Sequence, residues 1–287
     1  MDSLFSRIDN SALWSQFVPL SLTLVVLAAF LALLHAAITI FNLVPTSEKI
    51  FLEVRWYDIL VGGTIYLKTS IDFAIFIGRM MAANPGWRNR VAIEIGTAAG
   101  NAIGTIAIIG LWVVLKDIDI LLALMVMIAS LVLFELAHGS LEHFAGWEAA
   151  GGMKKFAFLG LHRVLDTVRR LIDPILSRIM PDLGMAMRGS AGLPWVTLLG
   201  FSASVPFILG LDDFAGYVPL FNVVNVYGFA IGVIASHTIL NIALFLSPQK
   251  TIIAVKNEWV SFLGTVAFIG LGVYGLIEAG KIVALLF

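Results

Sequence analysis

Apolar residues run through this chain in long unbroken stretches rather than short alternating ones. Seven stretches, at about 17–44, 57–82, 91–115, 118–144, 194–220, 222–247 and 258–286, reach or exceed the roughly 20 residues a helix needs to cross a hydrocarbon core. A barrel would show segments of about ten residues alternating in polarity. The pattern predicts an all-α, polytopic membrane protein with about seven transmembrane helices. The first stretch is too long for the apolar region of a signal peptide and is read as a retained helix.

Composition agrees with the pattern. Of 287 residues, 60% are hydrophobic and 13% charged, and the mean hydropathy is +0.97. The formal net charge of −1 points to no partner, and nucleic acid is not expected. The absence of Cys excludes disulfides, thiolate metal sites and thiol redox work. The expected surroundings are membrane lipid, and the expected location is a plasma or inner membrane.

The basic residues between the spans set the expected orientation. One set of connections carries thirteen: Arg7, Arg79, Arg88, Arg90, Lys154, Lys155, Arg163, Arg169, Arg170, Arg178, Arg188, Lys250 and Lys256. The other carries only Lys49, Arg55, Lys116 and Lys281, with Lys68 inside a span. The N-terminus is therefore expected in the cytoplasm and the C-terminus outside. The only long connection, 146–193, has Leu161, Val164, Leu165, Val168, Leu171, Ile172, Ile175 and Ile179 at helical spacing, with Arg163, Asp166, Arg169, Arg170 and Arg178 on other faces. It reads as a basic amphipathic helix on the cytoplasmic membrane surface, kinked near Pro174. It divides an N-terminal segment and first helix (1–56) and a three-helix unit (57–145) from a second three-helix unit (194–287).

The two units resemble each other weakly. Asp72-Phe73-Ala74 matches Asp213-Phe214-Ala215, Gly96 to Gly100 is similar to Gly228 to Gly232, and Leu133-Phe134-Glu135 is similar to Leu276-Ile277-Glu278, all in the same order. Units of three spans face opposite ways, so the expectation is two inverted repeats with an extra N-terminal helix. Such repeats place a substrate site near the midplane.

Thr69-Ser70-Ile71-Asp72-Phe73-Ala74-Ile75-Phe76-Ile77-Gly78 resembles the first signature of TerC-type membrane proteins, Ser-x-Asp-Asn-Ala followed by apolar residues. Leu211 to Pro219 resembles their second, Asp-led signature. Asn225 to Gly232 looks like the Asn-x-x-Ala-x-x-Gly stretch that follows it. The resemblance covers roughly 57–286 and extends to the wider LysE-like exporters. It implies about seven spans in two inverted units, and export or homeostasis of a divalent cation such as manganese, or tellurite resistance. It also implies that Asp72 and either Asp212 or Asp213 are the site carboxylates. Phe73 stands where the family usually has Asn, and Lys68, four residues before Asp72, is placed to pair with it.

Hard cations take oxygen ligands. Asp72, Asp212 and Asp213 would supply carboxylates and Asn101 and Asn241 amide oxygens, around a fifth span interrupted by Gly200, Pro206, Gly210 and Gly216. Glu135, His138 and Glu142 fall on one helix face with His143 adjacent. They read either as a second metal station or proton relay, or as a polar stripe where the helix leaves the membrane. His237, one turn from Asn241, reads as an interhelical hydrogen-bonding residue. Glu94 reads as a local charge partner of Arg88 and Arg90. Gly96, Gly100 and Gly104 read as a close-packing face. Nucleotide-binding loops, His-Glu-x-x-His and Gly-x-Ser-x-Gly are absent, so an enzyme is not expected. No firm cofactor is expected, only a cation as cargo. Two alternatives stay open: a membrane metal enzyme built on Glu135, His138, Glu142 and His143, and a non-transporting scaffold.

Overall fold

The computed structural model describes residues 11, 13–176, 193–209, 217–221 and 223–286, and for 72, 171–176 and 207–209 the backbone alone. All regular structure among them is helical. In chain order the helices are α1 (Trp14–Phe41), α2 (Trp56–Thr69), α3 (Ile71–Ala83), α4 (Trp87–Leu115), α5 (Asp119–Ser140), α6 (Trp147–Ala150), α7 (Gly152–Leu176), α8 (Trp195–Leu209), α9 (Val226–Leu246), α10 (Pro248–Val255) and α11 (Glu258–Leu286). Five are long and apolar enough to cross a membrane: α1, α4, α5 with the 3-10 turn that follows it, α9 and α11.

Of the stretches at 57–82 and 194–220, the first departs from the expectation of a single continuous span. The first is two helices, α2 and α3, bent by 66° at their junction. The cause is local: Thr69 Oγ1 donates to the Tyr66 carbonyl at 3.1 Å, and Ser70 leaves helical geometry with φ −85° and ψ 21°. Adjacent hydroxyl residues compete with the backbone for its own carbonyls and bend helices. In the second, which is expected to be interrupted, α8 is described over Trp195–Leu209 and contains Pro206. The connector forms the expected amphipathic helix, α7, which runs through Pro174 to Leu176. Gly151 just before it and Gly152 at its first position have φ 72° and 60°, a backbone region side chains disfavour.

Three helix pairs build the core: α2 with α9, α4 with α8, and α5 with α11. Glycine makes each approach possible. A methyl added at Gly62 or Gly232 would strike the facing backbone at Phe229 or Ile59. One at Gly96 or Gly100 would strike Leu199 or Ala203 on α8, and one at Gly275 would strike Ser130 on α5. The small-residue face expected at Gly96 and Gly100 is therefore a contact face. The first two pairs are parallel: Asp58, Gly63 and Tyr66 meet Gly228, Ser236 and His237 in the same order, as Gly96 and Gly100 meet Leu199 and Ala203. The third is antiparallel, with Ser130 against Gly275 and Phe134 against Gly272.

Polar contacts fix the ends. Asp58, 2% exposed, accepts from Arg55 Nε at 2.8 Å and from the Asn225 amide at 3.1 Å. Asn225 in turn caps α9 through Tyr227 and Gly228. At the other end Trp147 donates to Glu258 at 2.8 Å and packs on Trp259, holding the start of the connector on α11.

Gly232→Val should destabilise the protein by about 1–3 kcal/mol, the usual cost of overpacking. Gly270→Val, where an added methyl meets open space, should be close to neutral. Thermal unfolding of the purified variants checks both.

Candidate functional site

The α2–α3 break is where chemistry collects. Asp72 is the second residue of α3. Lys68 lies in the last turn of α2, so the two do not share one continuous helix as a four-residue spacing suggests. The Lys68 ammonium donates to the Val260 carbonyl on α11 at 2.5 Å. Beside the break lies a cavity of about 170 Å³, walled by Lys68, Thr69 and Ile71 and, across it, by Glu135, Ser140 and His143. One oxygen of Glu135 is buried with no hydrogen-bond partner among the described residues. Phe73, which replaces the amide the family resemblance leads one to expect, packs its ring 5.5 Å from that of His237.

His237 and Asn241 belong to a buried network joining four helices. Asn241 Nδ2 donates to His237 Nε2 at 2.9 Å, so His237 carries its proton on Nδ1 and donates to the Tyr66 hydroxyl at 2.6 Å. The other Asn241 hydrogen goes to Thr97 Oγ1 at 3.1 Å. Thr97 spends its own proton on the Ile93 carbonyl at 2.8 Å. Glu94, 3% exposed, lies on the same turn of α4 and accepts from Thr23 of α1 at 2.8 Å. Arg90 does not form the local pair expected with Glu94; it donates to the Phe245 carbonyl at 2.9 Å. Asn101 is buried two turns beyond Glu94, its Nδ2 without a partner among the described residues.

Glu135 and His138 face the connector. His138 Nε2 donates to Asp166 at 2.9 Å and its Nδ1 accepts from Arg169 at 3.1 Å. Arg169 also lies 3.5 Å from Glu135, and His162 lies 3.0 Å from the second Asp166 oxygen. Below them Leu165 and Phe158 are buried against the end of α5. These side chains dock α7. Glu142 is exposed on the turn after α5. Among the described residues no three His, Asp or Glu side chains are placed to share a metal ion. Asp212 and Asp213 lie outside the described residues.

Residue type and spacing pointed to Asn241 and His237. Glu94, Thr23, Thr97 and Tyr66 went unnoticed as a group, because three of the four are ordinary helix residues and the link between them crosses helices. The one available signal was Glu94 itself, an acidic residue inside an apolar run. No family model, curated protein or solved structure gives a significant match to this chain.

The hydrogen bond from His138 holds the Asp166 carboxyl below the ordinary carboxylate range, against the opposing pull of desolvation. A lowered value means that docking of α7 is at full strength above that range and is lost as pH falls through the lowered value. Asp166→Asn should speed hydrogen–deuterium exchange across Gly152–Leu176 at neutral pH and leave α9 unchanged.

Proposed function

We propose that this protein is a secondary membrane transporter that exports a divalent metal cation, such as manganese, through a midplane carboxylate site. The observation that carries this reading is the broken second span, with Asp72 in the first turn after the break. Transporters use discontinuous helices at their substrate sites because the interruption frees backbone polar groups to face a cavity. A carboxylate there, at a cost of about 2.5–3.5 kcal/mol on insertion scales, calls for a compensating role.

The helix pairing supports two inverted three-helix units with α1 outside them. Exchanging the units turns the α2–α9 pair into α8–α4, and both are parallel and glycine-lined. The α5–α11 pair maps onto itself, and a two-fold axis in the membrane plane requires such a pair to be antiparallel, as it is. The second carboxylate would come from Asp212 or Asp213 of the other unit, with Asn101 lower on α4 as a further oxygen donor. The choice of a divalent cation follows the family resemblance and the preference of hard ions for carboxylate oxygens. The N-terminus would lie in the cytoplasm, with α7 on that face. Glu135 and His138 serve to dock α7, which favours transport over the metal-enzyme alternative.

Asp72→Asn, alone and with Asp213→Asn, should lower manganese flux into liposomes about tenfold or more, since even the partners that orient metal ligands cost 10–100-fold when removed. Unchanged flux in the folded double variant would remove the proposal.

A further inference from the structure

A separate groove of about 330 Å³ lies between the starts of α4 and α8, walled by Pro85, Gly86, Trp87, Arg88, Asn89 and Trp195. Two side-chain bonds fix its walls. Trp195 Nε1 donates to the Arg88 carbonyl at 3.0 Å, tying α8 to α4, and Asn89 Nδ2 donates to the Pro85 carbonyl at 3.2 Å. A methyl added at Gly86 would meet no described atom within 4 Å, so the groove is open over that turn. Arg88 is exposed, and Trp195 is 41% exposed.

The surroundings of the groove are cationic. The end of α3 meets α10 where Gly78 faces Ile252. Arg90, in the second turn of α4, bonds the Phe245 carbonyl at the end of α9. The ends of α3 and α9, the starts of α4 and α8, and α10 therefore share one end of the molecule. Residues 73–93, 193–209 and 242–257 hold Arg79, Arg88, Arg90, Lys250 and Lys256 and no Asp or Glu. This is the end that the connecting charges assign to the cytoplasm. Past Trp195 the character changes. No charged residue occurs in α8 as far as Leu209, and Val196 is 72% exposed. A ligand in the groove thus meets positive charge at its head and apolar surface along its length.

An anion with an apolar tail satisfies both halves. A guanidinium pairs with a phosphate through two parallel N–H bonds. Trp rings settle at headgroup depth, where one edge can stay polar while the ring body is apolar. Basic clefts between spans on the cytoplasmic side take the head groups of acidic lipids. A free anion would use only the upper half of the groove, and a choline headgroup would add a cation to a cluster of five. We propose that the Trp87–Arg88–Trp195 groove binds the phosphate headgroup of an anionic phospholipid. The lipid rests on α4 and α8 together, so on the unit reading above it bridges the two units. Its binding does not depend on the transport reading.

The test is titration of the delipidated full chain in detergent, read by calorimetry. The ligands are short-chain phosphatidylglycerol, phosphatidylcholine of the same chain length, and inorganic phosphate. Phosphatidylglycerol should bind about fivefold more tightly than phosphatidylcholine, the share one basic side chain supplies at an anionic surface. Inorganic phosphate should not compete with it. Arg88→Gln should remove the preference, and Trp195→Ala should weaken binding of phosphatidylglycerol. Lys250→Gln, at the same end but outside the groove, should leave the preference in place. Equal binding of the two lipids would overturn the proposal. Competition by inorganic phosphate would also overturn it, making the groove a free-anion site. A preference that survives Arg88→Gln, or is lost in Lys250→Gln, would overturn it as a general effect of charge. If the lipids behave as described while liposomes show no manganese flux, the transport reading fails and the lipid site stands.

Discussion

Polar groups buried between apolar helices have no water to turn to, so they bond within the protein, and a bond to another helix fixes how the two helices sit. In this protein that constraint converges on one side chain. The two hydrogens of the Asn241 amide link His237 to Thr97, and through them α9 to α2 and α4. Glu94 adds α1 through Thr23. Thus α1, α2, α4 and α9 are set against one another by directional bonds, where apolar packing alone would let them slide.

The glycine crossings allow those bonds to form. Tyr66 meets His237 only because Gly62, Gly63 and Gly232 let α2 and α9 approach until backbone touches backbone. Gly96 and Gly100 do the same for α4 and α8. Close approach buries little side chain, so the specificity of each pair comes from its shape and its few hydrogen bonds. The α5–α11 pair follows the same rule, and its α5 carries the latch where His138, Asp166 and Arg169 fasten the connector.

Much of the fold was legible in the sequence because a hydrocarbon solvent leaves few options. Long apolar runs could only be helices, and the stretches at 17–44, 91–115, 118–144, 222–247 and 258–286 each correspond to one. The amphipathic spacing of Leu161, Leu165 and Val168 likewise placed α7. The bend at Ser70 was not legible, since Thr-Ser in an apolar run is compatible with a straight helix until the hydroxyl takes a backbone carbonyl. The site was legible in part. Asp72 stood out as a charge in an apolar run, whereas the partners of Glu94 lie 71 and 147 residues away in sequence and follow no spacing rule. Arg90 misled for the same reason: its sequence neighbour is Glu94, but its partner is the carbonyl of Phe245.

The proposed transport function rests on the break at Ser70 opening to water beside Asp72. The chain has no native Cys, so a single engineered thiol can report on that directly. Thr69→Cys, on the wall of the 170 Å³ cavity, can be compared with Ile77→Cys, 0% exposed on α3 and away from it. The account predicts rapid modification of Thr69→Cys by a water-soluble thiol reagent, slowing when manganese is present, with Ile77→Cys inert. Equal inertness at both positions would mean a sealed helix junction with no path for an ion, and would contradict the account.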